Sequence, residues 1–366
     1  MLRHLSQHGG GVLVYTQNLL RELLALETAH EFILLYRDER WLGTYRHHSH
    51  VREVTLKARS TFFWDQVAVQ QATKREQLDL IFNPKYALPL RAKSRTVFVV
   101  HGLDWYVMPW GSRWIDRLNH RYLIPRYAHR ADAIIAISDT VRQHVVEYLG
   151  VEESRVQTVY YGVDESFREA IPPERLEETR RTYRLPERFF LYCGQIYPPK
   201  NFGRLLQAYT MVGPRLGIAL VVAGEHRWLC TDELKLIERL GLSPWVVRAG
   251  WIDRKTLPAF YALAEAVLLP SLYEGFGLPV VEGMASGTPV VTANRYAPRE
   301  LAGDAAVLVD PERVDSIADG IYRVATDGEL RHRLIEAGKA RARQFTWKRC
   351  AQETLRILEA VGNGKT

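Results

Sequence analysis

From residue 189 onward, short apolar runs alternate with amphipathic stretches of helical spacing: FFLYCG, NFGRLLQAYTMV, ALVVAG, DELKLIERLG, VVRAG, TLPAFYALA, AVLLPS, LPVVEGMASG, TPVVTA, an APREL turn and AAVLVD. A strand that reads apolar on both faces must be covered on both faces. Parallel neighbours also need a crossover of about a dozen residues between them. The alternation therefore calls for βαβ units around a parallel sheet. The second half of the chain is expected to be a doubly wound α/β domain.

With 366 residues the chain exceeds what one hydrophobic core usually serves, and the first half repeats the logic less regularly. GVLVYTQNLLRELLAL (11–26) has helical spacing, EFILLYRD (31–38) reads as a strand and STFFWDQVAVQQATKREQ (60–77) as a helix. LDLIFNP, TVFVVHG and ADAIIAIS follow as strands, with a long helix over WIDRLNHRYLIPRYAHR. Ser138 or Asp139 is placed to cap the helix TVRQHVVEYLG, and VQTVYYGVD closes the domain as a strand. The expected boundaries are 1–165 for the first domain, 166–188 for a polar, proline-bearing linker, 189–344 for the second domain and 345–366 for a final helix. Only eight residues precede Gly9-Gly10-Gly11, and MLRHLSQH makes no convincing strand. The first strand of this domain is thus expected to be missing.

Composition excludes several classes. No stretch approaches the roughly 20 apolar residues that span a bilayer, and the N-terminus lacks the apolar core of a secretory signal. A cytoplasmic protein is expected. Cys193, Cys230 and Cys350 are few and widely spaced, fitting buried thiols better than a disulfide framework or a zinc site. The net charge of +7 suits an anionic partner, but the basic residues are interleaved with acids, so nucleic-acid binding is not expected.

The richest segment is SLYEGFGLPVVEGMASGTPVV (271–291). Gly275 and Gly277 permit close backbone approach, and Pro279 suits a first helical turn. Glu274 falls in the loop after a strand, and Glu282 one turn into the following helix. Carboxylates at strand ends of an open α/β sheet can accept hydrogen bonds from vicinal hydroxyls. The plainer reading is a loop acid and a helix acid in intradomain salt bridges. In GQIYPPKN, Lys200 stands beside a helix N-terminus, where the macrodipole disfavours a cation unless an anion joins it. His101 ends a strand in VFVVHGLDW, with Asp104 nearby, and Gly9, Gly10 and Gly11 would offer backbone amides to a phosphate or acceptor. The alternative for His101 is a hydrogen-bonded core histidine.

Together these segments resemble the family-4 retaining glycosyltransferases of GT-B architecture. The resemblance runs from GGGVLVYTQNLLREL through VVHGLDW, IIAISDTVRQHV, YYGVD, YCGQIYPPKN and RAGWIDRKTLPAFYALAEAVLLPSLYEGFGLPVVEGMASGTPVV to FTWKRCAQETLRIL. It implies two facing Rossmann-like domains, with the final helix crossing back to the first. It further implies that Lys200 holds the donor diphosphate and Glu282 the ribose hydroxyls. Glu274, with Gly275, Phe276 and Gly277, would hold the transferred sugar, and Gly250-Trp251-Ile252 would meet the base. His101 would lie beside the donor sugar and take part in catalysis. Two departures stand out. Gln195 and Pro199 occupy positions where many members carry a second phosphate-binding arginine, and the usual histidine-aspartate pair reads His101-Gly102.

The function implied is transfer of a hexose or deoxyhexose from a nucleotide sugar, GDP-mannose first and a dTDP- or UDP-sugar second, to an acceptor hydroxyl. Retention is expected, with no metal and no cofactor, in glycan or polysaccharide biosynthesis. A nucleotide-sugar epimerase and a non-catalytic nucleotide-sugar-binding subunit remain as alternatives, and a nicotinamide dehydrogenase lacks its GxGxxG after a strand. Trp105, Trp110, Arg113 and Trp114 would suit a lipid-linked acceptor and peripheral association with the inner membrane face. Ordinary helix packing is the simpler account of them.

Overall fold

The computed structural model describes residues 1–5, 10–111, 114–225 and 231–364, with backbone alone for 114–119 and 231–234. The chain divides into two compact units, one of Met1–Gly162 with Trp347–Thr366 and one of Val163–Thr346.

In the first unit β1 (Phe32–Tyr36) pairs with β2 (Val51–Thr55), while β3 (Leu80–Asn83), β4 (Arg95–Val100), β5 (Ala133–Ala136) and β6 (Val156–Thr158) form a separate sheet in that order. All pairings are parallel. β2, VREVT, escaped the sequence reading because the adjacent Arg52 and Glu53 break the apolar run. β6 is shorter than the strand expected over 156–164. Ser138, rather than Asp139, caps the helix Asp139–Leu149, its Oγ accepting from Val141 N at 3.1 Å, and Gly150 ends it in the left-handed region at φ 64°. The helix expected over 60–77 contains a π-helical turn, Trp64–Ala68, where the Trp64 indole donates to Leu56 O at 2.9 Å. The helix Trp347–Gly362 packs on Gly11–Leu24 within this unit, and Trp347 lies 6.2 Å from the Tyr15 ring and 5.7 Å from that of Tyr161.

The second unit has β7 (Phe189–Cys193), β8 (Ala219–Ala223), β9 (Val246–Gly250), β10 (Ala266–Leu269), β11 (Val290–Ala293) and β12 (Val307–Val309) in the order β12-β11-β10-β7-β8-β9, parallel throughout. Starting from β7, successive strands run outward to β9, and then the chain returns to β10 on the other side. The reversal between β7 and β10 opens a crevice at their carboxyl ends. β7, β8, β10 and β11 are buried along their whole lengths, as unbroken apolar runs require.

The segment 166–188 is no free linker. It begins in the turn Glu165–Phe167, carries the helix Pro173–Thr182 and belongs to the second unit. Phe167 packs edge-on against Tyr261 and Tyr183 against Phe260, at 5.4 and 4.9 Å. Its polar composition reflects one wet face, and the few apolar residues are the ones that anchor it.

Candidate active site

The loop after β7 is shaped by backbone proximity. Gly194 has φ 138°, and a Cβ added to Gly224 would stand 2.0 Å from Gly194 O, so only glycine lets these loops approach. The chain then makes the turn Pro198–Lys200 and reaches Asn201 at φ 59°, the residue before the helix Phe202–Leu216. The buried Asn201 amide donates to Pro270 O at 2.9 Å and Pro311 O at 2.6 Å, and Leu272 N donates to Pro199 O at 2.8 Å. The loops after β7 and β10 are therefore stitched together before any charged side chain is considered.

Two ion pairs stand on this frame. Lys200 Nζ lies 2.5 Å from Glu274 Oε1, which also accepts from Ser271 Oγ at 2.8 Å. Glu282, one turn into the helix Leu278–Ala285 and 2% exposed, accepts from Arg254 Nη1 at 2.6 Å and from the Tyr261 hydroxyl at 2.7 Å. Adding a Cβ to Gly283 would bring it to 2.9 Å from Val290, so this helix lies hard on the sheet and fixes the depth of Glu282. The Arg254 guanidinium lies 5.1 Å from the Phe167 ring centroid. Burial works against its charge, but the Glu282 carboxylate outweighs that and holds it above the ordinary arginine range. At the end of β7, burial first and the Glu282 charge second push the Cys193 thiol up to about 12; Arg254 and Lys200 act on it in the opposite sense. Both pairs thus belong to one electrostatic neighbourhood around the crevice.

The other donor-side residues surround it. Gly250 ends β9 at φ 71° and accepts from Gly224 N at 2.7 Å; Trp251 is half exposed and Ile252 buried. Phe276 is buried, and Gly277, at φ 102°, precedes the helix Leu278–Ala285, which has no side-chain cap. The salt bridges that the plainer reading proposed are present, and their partners are Lys200 and Arg254.

In the first unit, His101 Nε2 donates to Pro84 O at 2.6 Å, since a carbonyl can only accept, and Nδ1 is therefore left to accept from the Tyr161 hydroxyl. Burial lowers its pKa to about 3, partly opposed by the Pro84 bond. Burial favours the neutral ring, and both of its nitrogens are hydrogen-bonded. In this arrangement the hydrogen-bonded core histidine named as the alternative describes its contacts. Gly10 precedes the helix Gly11–Leu24 in an extended conformation, and its carbonyl accepts from Leu13 N at 2.9 Å; Gly9 lies outside the described residues. Trp105 is packed between Tyr86 and His120, as ordinary packing predicts, whereas Trp110 is 61% exposed. Arg113 and the side chain of Trp114 lie outside the described residues, as does Cys230. Among the described residues no helix is long and apolar enough to cross a membrane, and no cluster of His, Cys, Asp or Glu is arranged to hold a metal.

Comparison with known proteins decides the family. Residues 9–167 match the model of Glycosyltransferase Family 4, and residues 177–341 that of Glycosyl transferases group 1. The chain is a family-4 glycosyltransferase of GT-B fold. It is 29% identical over 295 residues to the O-antigen chain mannosyltransferase B of Escherichia coli, covering 78% of this chain and 76% of that one. It is 31% identical over 227 residues to the serotype-specific mannosyltransferase WbdA of Escherichia coli, a match spanning 61% of this chain and only 28% of the relative. The crystal structure of HepE from Anabaena, in complex with UDP and glucose, superposes at a TM-score of 0.77 over 97% of both chains with 19% identity. This glycosyltransferase acts in glycan biosynthesis.

Sequence reasoning missed Arg254, Tyr261 and Ser271. Arg254 lies 28 residues before its partner, beyond any local pattern. Ser271, three residues before Glu274, was within reach as a loop hydroxyl able to bond a nearby carboxylate.

Proposed function

We propose that this glycosyltransferase moves a hexose, mannose first, from a nucleoside diphosphate to an acceptor hydroxyl with retention. The observation that carries the reading is the pair of carboxylate–cation contacts, Lys200 with Glu274 and Arg254 with Glu282, built from the segments that follow β7, β9 and β10. The donor diphosphate takes Lys200, the ribose diol takes the free lone pairs of Glu282, and the sugar takes Glu274 with the backbone of Gly275, Phe276 and Gly277. Gly250, Trp251 and Ile252 meet the base. In the transfer the bond from the anomeric carbon to the phosphate oxygen breaks, and the acceptor oxygen bonds to that carbon on the same face. The acceptor proton passes to the leaving phosphate. Lys200 stabilises the charge gathering there, and His101 stays neutral and positions its loop. Mannose is favoured because the relatives described above are named mannosyltransferases.

The acceptor is glycan-like or lipid-linked, and peripheral contact with an anionic membrane face belongs to the same proposal. The first unit carries 25 Lys and Arg against 18 Asp and Glu, whereas the second balances 24 against 24, so the whole net charge of +7 resides in the first. No divalent ion takes part.

The test is a thermal-shift screen of GDP-, UDP- and dTDP-sugars, followed by transfer to glycan acceptors in a chelator with the product's anomeric configuration read by NMR. A ligand at a hundred times its dissociation constant stabilises by about 2.7 kcal/mol. Stabilisation by a GDP-sugar and an axial product linkage are expected; an inverted product, or an epimerised sugar formed without acceptor, would overturn the reading.

A further inference from the structure

Glu282 is held more completely than an acid that only neutralises a cation needs to be. Oε1 accepts from Arg254 Nη1 at 2.6 Å and Oε2 from the Tyr261 hydroxyl at 2.7 Å, so each carboxylate oxygen has its own donor. Both donors are themselves fixed. Tyr261 is fully buried in the helix Leu257–Leu263, with Phe167 edge-on to its ring at 5.4 Å and Thr288 Oγ1 donating to its carbonyl at 2.7 Å. The Arg254 guanidinium lies over the same Phe167 ring, 5.1 Å from its centroid.

The single hydrogen of the Tyr261 hydroxyl has one place to go. The hydroxyl is hydrogen-bonded to the Cys193 thiol as well as to Glu282, and a carboxylate can only accept, so Tyr261 donates to Glu282 and accepts from the thiol. Burial above all holds the phenol well above its ordinary range and pushes the thiol up to about 12, so both keep their protons at neutral pH. The chain of donors from Cys193 through Tyr261 therefore always points at Glu282.

An ionised carboxylate offers about four lone-pair sites. Arg254 and Tyr261 take one on each oxygen, which leaves one on each. Turning the carboxylate to bring both remaining sites onto a single donor would break one of the two bonds, and the close approach of Gly283 to Val290 keeps the helix from shifting instead. One acceptor per oxygen matches two hydroxyls on adjacent carbons. A lone hydroxyl satisfies only half of it.

We infer that Tyr261 and Arg254 are positioning residues that make Glu282 a reader of vicinal diols, so that the site takes ribonucleoside diphosphates and discriminates against their 2′-deoxy counterparts. The inference rests on the ribose assignment proposed above and adds a selection among nucleotides, one that disfavours dTDP-linked donors. Loss of the 2′ hydroxyl leaves one oxygen of a buried carboxylate short of a donor, and the held group cannot turn to compensate. On a freely turning glutamate, water or a shared bond would make up the difference.

Calorimetry on the intact chain compares GDP with 2′-deoxy-GDP and UDP with 2′-deoxy-UDP, so that the base cancels within each ratio. The parent should bind each ribonucleotide roughly ten- to a hundred-fold more tightly than its deoxy form. Tyr261→Phe removes one oxygen atom and frees the carboxylate to turn. It should weaken the ribonucleotides and leave the deoxy forms near the parent, lowering the ratio by about threefold or more. A variant that merely loosened the unit would weaken all four ligands alike and leave the ratio intact. The parent ratio is read without any variant, so the selectivity stays open to refutation even where Tyr261→Phe folds poorly. Equal affinities for the two sugars in the parent would overturn the inference and spare the donor-site reading. A ratio unchanged in well-folded Tyr261→Phe would overturn the positioning role. Failure of all four nucleotides to bind would reject the donor assignment itself, and the inference with it.

Discussion

Replacing Lys200 by methionine and Glu274 by glutamine, singly and together, tests how the free site is held. The two groups lie 2.5 Å apart with side chains only 12% and 9% exposed. Removing one partner of a buried pair costs about 3–5 kcal/mol because the other charge is left uncompensated, whereas replacing both can be close to neutral. Residual exposure and the Ser271 bond put Lys200→Met at the lower end, about 3 kcal/mol, or a fall of about 6–12 °C in midpoint for a unit of this size. The double variant should recover most of that, a coupling of about 2 kcal/mol. Donor binding then separates the two residues by sign. Lys200→Met should weaken a nucleoside diphosphate roughly ten- to a hundred-fold. Glu274→Gln should bind it at least as tightly as the parent, since Lys200 no longer has to leave a carboxylate. Thermal scanning with and without ligand gives the stabilities, and calorimetry on the folded proteins gives the affinities. Additive stability losses, or equal weakening of diphosphate binding by both single variants, would refute the reasoning.

Further outcomes follow from the same geometry. Glu282→Gln should mainly raise the donor KM, since the ribose does not change during transfer; Glu274→Gln should lower kcat more than it raises KM, and steady-state kinetics in which both act on KM alone would reject that division. His101 has a folded pKa of about 3 against 6.5 as its ordinary value, so between these limits the unfolded chain binds the additional proton. Its contribution is present above about pH 6.5 and lost as pH falls toward 3; His101→Gln should flatten the decline of the urea midpoint between pH 7 and 4.5, and an unaltered slope counts against it. Gly224→Ala would force a Cβ to 2.0 Å from Gly194 O at φ 154°, so it should destabilise the second unit by a few kcal/mol and weaken donor binding, whereas a wild-type melt would show that the loop gives way.

The second unit was legible because β7, β8 and β10 announce themselves as unbroken apolar runs alternating with helical stretches, and the glycine-rich segment after β10 is local. Glu274, Glu282 and Lys200 could therefore be placed at strand ends from order alone. Their partners could not all be found that way. Arg254 reaches Glu282 from the turn after β9, a contact made by the sheet rather than by spacing. The first unit was harder for a physical reason: in β2 the adjacent charges Arg52 and Glu53 break the apolar run that would mark a strand. The segment 166–188 read as a linker because most of its side chains do face water, while its packing depends on Phe167 and Tyr183.

If the donor binds as proposed above, a carboxylate beside each cation changes what that binding means. Lys200 and Arg254 are matched by Glu274 and Glu282, so each of these two cations already has a carboxylate partner before ligand arrives. An open cationic cradle would gain Coulomb energy outright; in a matched site the diphosphate must exchange with a carboxylate, and affinity is the difference between two contacts of similar strength. Gln195 and Pro199 bring no charge to the loop, which leaves Arg254 as the nearest second cation identified around Glu282. It uses one of its five N–H donors on Glu282, and its side chain is 36% exposed, so donor capacity remains without breaking the pair. The exchange at Lys200 has a consequence for selectivity. A nucleoside diphosphate alone satisfies the lysine but leaves Glu274 short of a donor, whereas a nucleotide sugar offers the carboxylate a hydroxyl in the same event. Under the proposed donor assignment the site would thereby couple capture of the diphosphate to the presence of the sugar, with the free-state pair between Lys200 and Glu274 making the two ligands distinguishable.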